Sequence, residues 1–159
     1  MNSPIALLIE TLNESEISFE QLDDATLLVT VPGTKKLYTN VLFKVTDKTL
    51  SINAFVIRKP DQNVEKVHEW LLRHNAAHYL LSYAVNELGD IYLVGRLPIG
   101  ILTKDEMDRI FGALHEYCDA SFNILLELGF ADAIRREWAW RLSRGESVTN
   151  LQAFEHLRS

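Results

Sequence analysis

Two histidines four residues apart, His74 and His78 in the stretch HNAAH, have the spacing that lets one helical face hold a transition metal. That requires a helix running through His78, whereas Tyr79 reads as the start of a strand. His68 precedes His74 by six positions, roughly 600° of helical turn, which sends it to another face. No metal is therefore expected. Cys118, three residues after His115, is a nucleophile only if a base activates it. Position 118 falls on the apolar side of a long helical pattern, so a core thiol is the reading. Asp105 with Asp108, and Asp23 with Asp24, could serve as acid–base pairs. The first two stand where a helix N-terminus favours negative charge, and the second two sit in a turn. Gly33, Gly95 and Gly100 match no phosphate-binding loop. No nucleophile, base and oxyanion donor can be assigned together, so neither a catalytic residue nor a cofactor is expected, and the chain reads as no enzyme.

The most distinctive stretch is Arg135-Arg136-Glu137-Trp138-Ala139-Trp140-Arg141-Leu142-Ser143-Arg144. Arg and Trp concentrate binding energy where water is excluded, so Arg136, Trp138, Trp140, Arg141 and Arg144 are candidates for contact with a protein partner. The plainer reading packs one Trp on the sheet and pairs Glu137 with Arg141 at i, i+4. A second functional class is a small-ligand sensor, with an apolar pocket between the sheet and the long helix and Tyr83, Tyr92 or Arg96 as its polar anchor.

The elements that position these residues follow from periodicity and caps. Ser3 and Pro4 open a helix over about 4–14. Thr26 to Val31, Leu37 to Thr46 and Leu50 to Val56 alternate as an antiparallel meander with one wet face, and a further short strand near Ser18 to Leu22 is possible. Val64, Val67, Trp70 and Leu71 mark a helix to about Ala76. Tyr79 to Leu88 and Ile91 to Leu97 form a hairpin around Gly89-Asp90. The first of these strands is apolar on both faces, which predicts a central place in the sheet. Thr103 and Glu106 form a capping box opening the longest helix, whose stripe runs through Met107, Phe111, Leu114, Cys118, Ser121, Leu125 and Leu128. Gly129 ends it. The stripe is heptad-like and the helix outreaches the strands it covers, which predicts a homodimer. A further helix runs from Phe130 to Arg144, and Thr149 with Gln152 caps another before Leu151, Phe154 and Leu157. The whole, residues 1–159, reads as a single α+β domain: an antiparallel sheet of about five strands packed by helices in the order α-βββ-α-ββ-α, with the helices after about 130 as a C-terminal extension.

Composition agrees with a compact core: of 159 residues, 47% are hydrophobic and 24% charged. A net charge of −6 disfavours nucleic acid and anionic lipid. Residues 130–159 carry net +1 against −7 for the rest, too slight an asymmetry for a nucleic-acid tail. A single cysteine forms no intrachain disulfide, no secretory signal is legible, and no stretch approaches a membrane span, so a cytoplasmic location is expected.

The element order, with the stretches HEWLLRHN, LSYAVNELGDIYLVGRLP and LGFADAIRREWAWRLSRGES, resembles the YbjN-domain family of bacterial proteins, often labelled sensory transduction regulators. That family is similar in fold to type III secretion chaperones, which are small, acidic, cytoplasmic dimers. The resemblance implies a role in protein association, with a partner captured on an apolar surface or an open sheet edge, and it brings no reaction centre with it.

Overall fold

A computed structural model describes residues 3–158. The chain runs α1 (Pro4–Glu14), β1 (Ser18–Asp23), β2 (Thr26–Pro32), β3 (Tyr38–Val45), β4 (Thr49–Ile57), α2 (Val64–Asn75), β5 (Ser82–Val85), β6 (Ile91–Pro98) and α3 (Lys104–Ser143), with 3₁₀ segments at Ile99–Ile101 and Thr149–Leu157. The caps are local and physical. Ser3 accepts from the Ala6 N–H at 3.2 Å, and Thr103 accepts from the Glu106 N–H at 3.1 Å. Glu106 does not reach back to close the box; its carboxylate takes the Tyr79 hydroxyl instead.

The strands form one six-stranded sheet in the order β1-β2-β3-β4-β6-β5, antiparallel throughout. The α+β class holds, with one strand more than the five expected. The sixth is β1, the possible short strand near Ser18 to Leu22, whose side chains are almost all exposed. β5 lies at the sheet edge and is no central strand. Its predecessors leave the ladder because Leu80 adopts φ 61° and the Leu81 N–H bonds back to the Tyr79 carbonyl at 2.7 Å. Leu81 and Tyr83 are buried on the helix side, while Val85 and Leu88 remain exposed, so two apolar faces here do not mean two covering layers. The turn after β5 is a five-residue loop, Asn86–Asp90, in which the Asn86 side chain accepts from the N–H groups of Leu88 and Asp90.

The helices cover one face of the sheet. On β3, Thr39, Val41 and Phe43 turn inward and Tyr38, Asn40, Leu42 and Lys44 outward. Phe43 meets Phe111 of α3 with ring centroids 5.5 Å apart. The α3 stripe expected to meet a second chain is spent within this one: Met107, Phe111, Leu114, Cys118 and Leu125 all belong to the core.

α3 is two helical runs that meet at a break at Phe130 (φ −140°, ψ 22°), so the first run ends beside Gly129 as expected and the second continues to Ser143. The kink is held by the loop before α2. The Gly129 carbonyl accepts from Asp61 and Gln62 N–H groups at 3.0 and 3.1 Å. Asn63 Nδ2 donates to the Leu128 carbonyl at 2.9 Å, and Gln62 Oε1 accepts from the Asp132 N–H at 2.9 Å. Three backbone groups at the break, the Leu128 and Gly129 carbonyls and the Asp132 N–H, thus find partners in one clasp. A Cβ on Gly129 would stand 2.9 Å from the Pro60 Cβ, so the close approach requires glycine. Beyond α3 the chain folds back: Arg135 Nε donates to the Leu157 carbonyl at 3.1 Å, and Phe154 and Leu157 join the core. Thr149 is not a helix cap; it begins the 3₁₀ segment after Val148 and bonds Ser147 Oγ at 2.8 Å.

Candidate functional site

The sheet face opposite the helices is the broadest surface without a layer over it. Leu42 is 38% exposed and pairs in register with the half-buried Leu28. Phe55 is 40% exposed and meets Tyr92 edge-on with ring centroids 5.5 Å apart. Val94 lies beside them, and Thr30, Asn40 and Asn53 are interspersed. Such a surface suits a partially polar protein interface.

The two sheet edges differ. At β5, the Asn75 side chain accepts from the Tyr83 N–H at 2.7 Å and donates to the Tyr83 carbonyl at 3.3 Å. One amide thereby occupies the positions a neighbouring strand would fill. At β1 no such plug is formed among the described residues, and Glu20 and Asp23 stand exposed along the edge. An open edge of this kind can add an extended segment by main-chain hydrogen bonds.

The Arg/Trp stretch lies on α3 beyond the kink. The structure separates its five candidates. Arg136, Trp140 and Arg144 face outward, with the Arg144 guanidinium 5.1 Å from the Trp140 ring centroid. Trp138 does not: it is only 3% exposed, because its face of the helix turns inward. Arg141 is engaged within the chain, bonded to Glu137 at 2.7 Å and to the Ser147 carbonyl at 3.0 Å. The plainer reading, one inward Trp and an i, i+4 ion pair, accounts for two of the five. Ala133, Arg136, Glu137 and Trp140 line a shallow hollow.

Tyr83, Tyr92 and Arg96 are not brought together. Tyr83 is on the helix side, whereas Tyr92 and Arg96 alternate onto the open face, as the pairing of Tyr83 with Leu93 and of Arg96 with Ser51 requires. Tyr83 does line a cleft of about 290 Å³ between α2, β5 and α3, together with Trp70, His74, His78 and Tyr117. Burial pushes the Tyr83 hydroxyl up to about 12, so it stays protonated. His74 stacks on Trp70 at 3.6 Å and His78 on Tyr117 at 3.8 Å. Burial, and after it the neighbouring His74, lower the His78 pKa. α2 ends at Asn75, short of His78, and among the described residues no three His, Cys, Asp or Glu side chains converge to hold a metal.

Cys118, His115, Asp23 and Asp119 make their contacts within the fold. Cys118 is buried and its thiol is pushed up to about 11 by that burial. His115 bonds the Pro32 carbonyl through Nδ1 at 2.8 Å and does not address the thiol. Asp23 accepts from the Ala25 N–H at 2.8 Å in its turn. Asp119, which the sequence did not single out, organises the β2–β3 loop. It accepts from the N–H groups of Thr34, Lys35 and Lys36 at 2.8 to 3.0 Å and from the Thr34 hydroxyl at 2.8 Å. Partial burial pushes its carboxyl up, but these bonds together outweigh it and hold the group below its ordinary value. A lysine pair after Pro32-Gly33 was the only local signal; an acid 85 positions away in sequence has none.

Among the described residues no helix is long and apolar enough to cross a membrane. The family described as "YbjN: Putative bacterial sensory transduction regulator" matches residues 4–127. An uncharacterized protein of Mycobacterium tuberculosis (strain H37Rv) is 50% identical over 132 residues, which is 83% of this chain and 72% of that one. Among solved structures, the ExsC–ExsE complex is similar with a TM-score of 0.55 at 15% identity, covering 75% of this chain and 90% of that chain. The ExoU–SpcU heterodimer from the type III secretion system of Pseudomonas aeruginosa is similar with a TM-score of 0.53 at 16% identity, covering 76% and 96%. At these identities the likeness is one of fold, and it is the type III secretion chaperone-like fold.

Proposed function

The chain belongs to the YbjN family, and from that premise we propose that it acts by associating with another protein and catalyses no reaction. The observation that carries this reading is the uncovered sheet face, with Leu28, Leu42, Phe55, Tyr92 and Val94 across adjacent strands and no layer above them. Arg136, Trp140 and Arg144 extend the partner surface onto the kinked arm, and the open β1 edge offers backbone pairing. Supporting this, the similar folds above were solved as complexes of two proteins. The molecule works as one domain in the cytoplasm, its residues after about 130 forming an extension. A homodimer belongs to the same reading, and its interface falls on the uncovered face because the α3 stripe is internal.

A second reading, a small-ligand sensor, draws on the aromatic cleft around Tyr83.

Native mass spectrometry of the protein recovered gently from its own host tests the first reading. A second polypeptide or second copy held in fixed stoichiometry, and lost in the Leu42→Lys, Val94→Lys double variant, is expected. A monomer that carries no polypeptide at micromolar concentration overturns it, and a stoichiometric small-molecule adduct transfers the assignment to the sensor.

A further inference from the structure

Lys36 closes the β2–β3 loop and reaches across to β4. Its Nζ donates to the carbonyls of Phe55 at 2.8 Å and Val56 at 2.9 Å. β3 leaves these carbonyls free, since its pairing with β4 ends at Val41 and Ala54. An ammonium has three donors, so one N–H remains. No ion pair among the described residues includes Lys36. Burial lowers its pKa, as expected where no carboxylate compensates the lost water. The charge lies instead against the rings of Phe122 and Phe55, at 5.5 and 5.7 Å from their centroids.

These groups form one end of an open groove of about 350 Å³ between β4 and α3. Its floor is Phe122, Leu126 and Phe130, stacked at i, i+4 and i+8 and so about 12 Å long. At the far end Arg58 covers the Phe130 ring at 4.4 Å, but Asp61 already neutralises it at 2.8 Å. The lining holds two cations and no carboxylate, in a chain of net charge −6. An apolar stripe along α3 up to its break at Phe130, ending on a half-buried ammonium with a donor to spare, is complementary to an amphiphile with one anionic head.

We propose that this groove binds a medium-chain alkyl carboxylate, its head group on Lys36 Nζ and its chain along Phe122, Leu126 and Phe130. The carboxylate supplies the counter-charge that a desolvated ammonium otherwise lacks, and the alkyl chain covers the apolar floor. The groove shares Phe55 with the uncovered sheet face but none of Leu42, Val94, Arg136, Trp140 and Arg144, so the Leu42→Lys, Val94→Lys variant that breaks protein association is expected to leave decanoate binding in place.

Calorimetric titration with decanoate, decanol and decyltrimethylammonium, each below its micellar concentration, tests the proposal. Decanoate is expected to bind saturably, one per chain, with decanol at least about tenfold weaker and the cation not binding. Lys36→Met keeps the apolar stem and removes the charge, and weakens decanoate by about ten- to a hundredfold without altering decanol. Because Lys36 also satisfies two β4 carbonyls, a second variant separates binding from folding. Leu126→Trp fills the groove, leaves those bonds in place and abolishes decanoate binding with an unchanged circular dichroism spectrum. Equal affinity for decanoate and decanol, decanoate binding untouched by both variants, or no saturable decanoate binding overturns the assignment.

Discussion

Before the kink, α3 puts Met107, Ile110, Phe111, Leu114, Cys118 and Leu125 into the core; beyond it, Trp138 is buried while Trp140 and Leu142 stand about half exposed. Both halves are amphipathic stretches rich in large side chains. What differs is the surface opposite: Phe111 of the first half packs on Phe43 of the sheet, whereas the second half is held by the loop before α2 at Asp132 and by the returning 3₁₀ segment at Arg135. Burial follows from what a helix is laid against as much as from its own pattern. The first half is buried along its whole inner stripe, whereas the second leaves Trp140 and Leu142 at the surface.

The largest expected effect tests that division directly. Leu114→Ala removes a fully buried side chain from the first half and costs about 2–5 kcal/mol in denaturant unfolding, whereas Leu142→Ala in the second stays within about 0.5 kcal/mol. Equal losses would break the comparison. Next, Gly129→Ala forces Pro60 away from the joint, costs about 1–3 kcal/mol, and alters the orientation of the arm measured by residual dipolar couplings. Arg141→Ala, on a half-exposed pair, costs roughly 0.5 kcal/mol and loosens the tail, seen as faster amide exchange after Ser147. Trp140→Ala leaves stability unchanged and weakens partner binding, and Arg136→Glu with Arg144→Glu does the same.

Acid titration separates the halves in another way. Asp119, on the first half, has its carboxyl held below 3.8 in the folded chain. A depressed carboxylate contributes stability that is present above its unfolded value and is lost as pH falls through the folded one. Wild type is therefore expected to lose stability below about pH 4 more steeply than Asp119→Asn, with Thr34 to Lys36 amides losing protection first. At neutral pH, Cys118, pushed up to about 11 by burial, should resist alkylation until the chain unfolds.

Much of the architecture was legible. Ser3, Thr103 and the alternation through Val41 and Phe43 placed α1, α3 and the meander, because caps and period-two burial are local. β1 stood in the sequence as a possible short strand near Ser18 to Leu22, since an exposed edge strand has little buried face to announce it; the edge position of β5 was not legible, because apolar residues on both faces read as a central strand. The site was legible in part. Arg136, Trp140 and Arg144 stand at the surface, and Trp138 is the tryptophan that turns inward. Asp119 acts on a loop 85 positions away and Lys36 on a strand 19 positions away, and such couplings leave no trace in spacing; Asn75 plugs a strand only eight positions on, but nothing local marks it.

The clasp at Phe130 ties the direction of the arm to the loop before α2. Its partners are Asp61, Gln62 and Asn63, between β4 and α2. The angle at which Trp140 is presented is thus set from about 70 positions earlier in the chain, so a substitution in that loop redirects the arm without touching it.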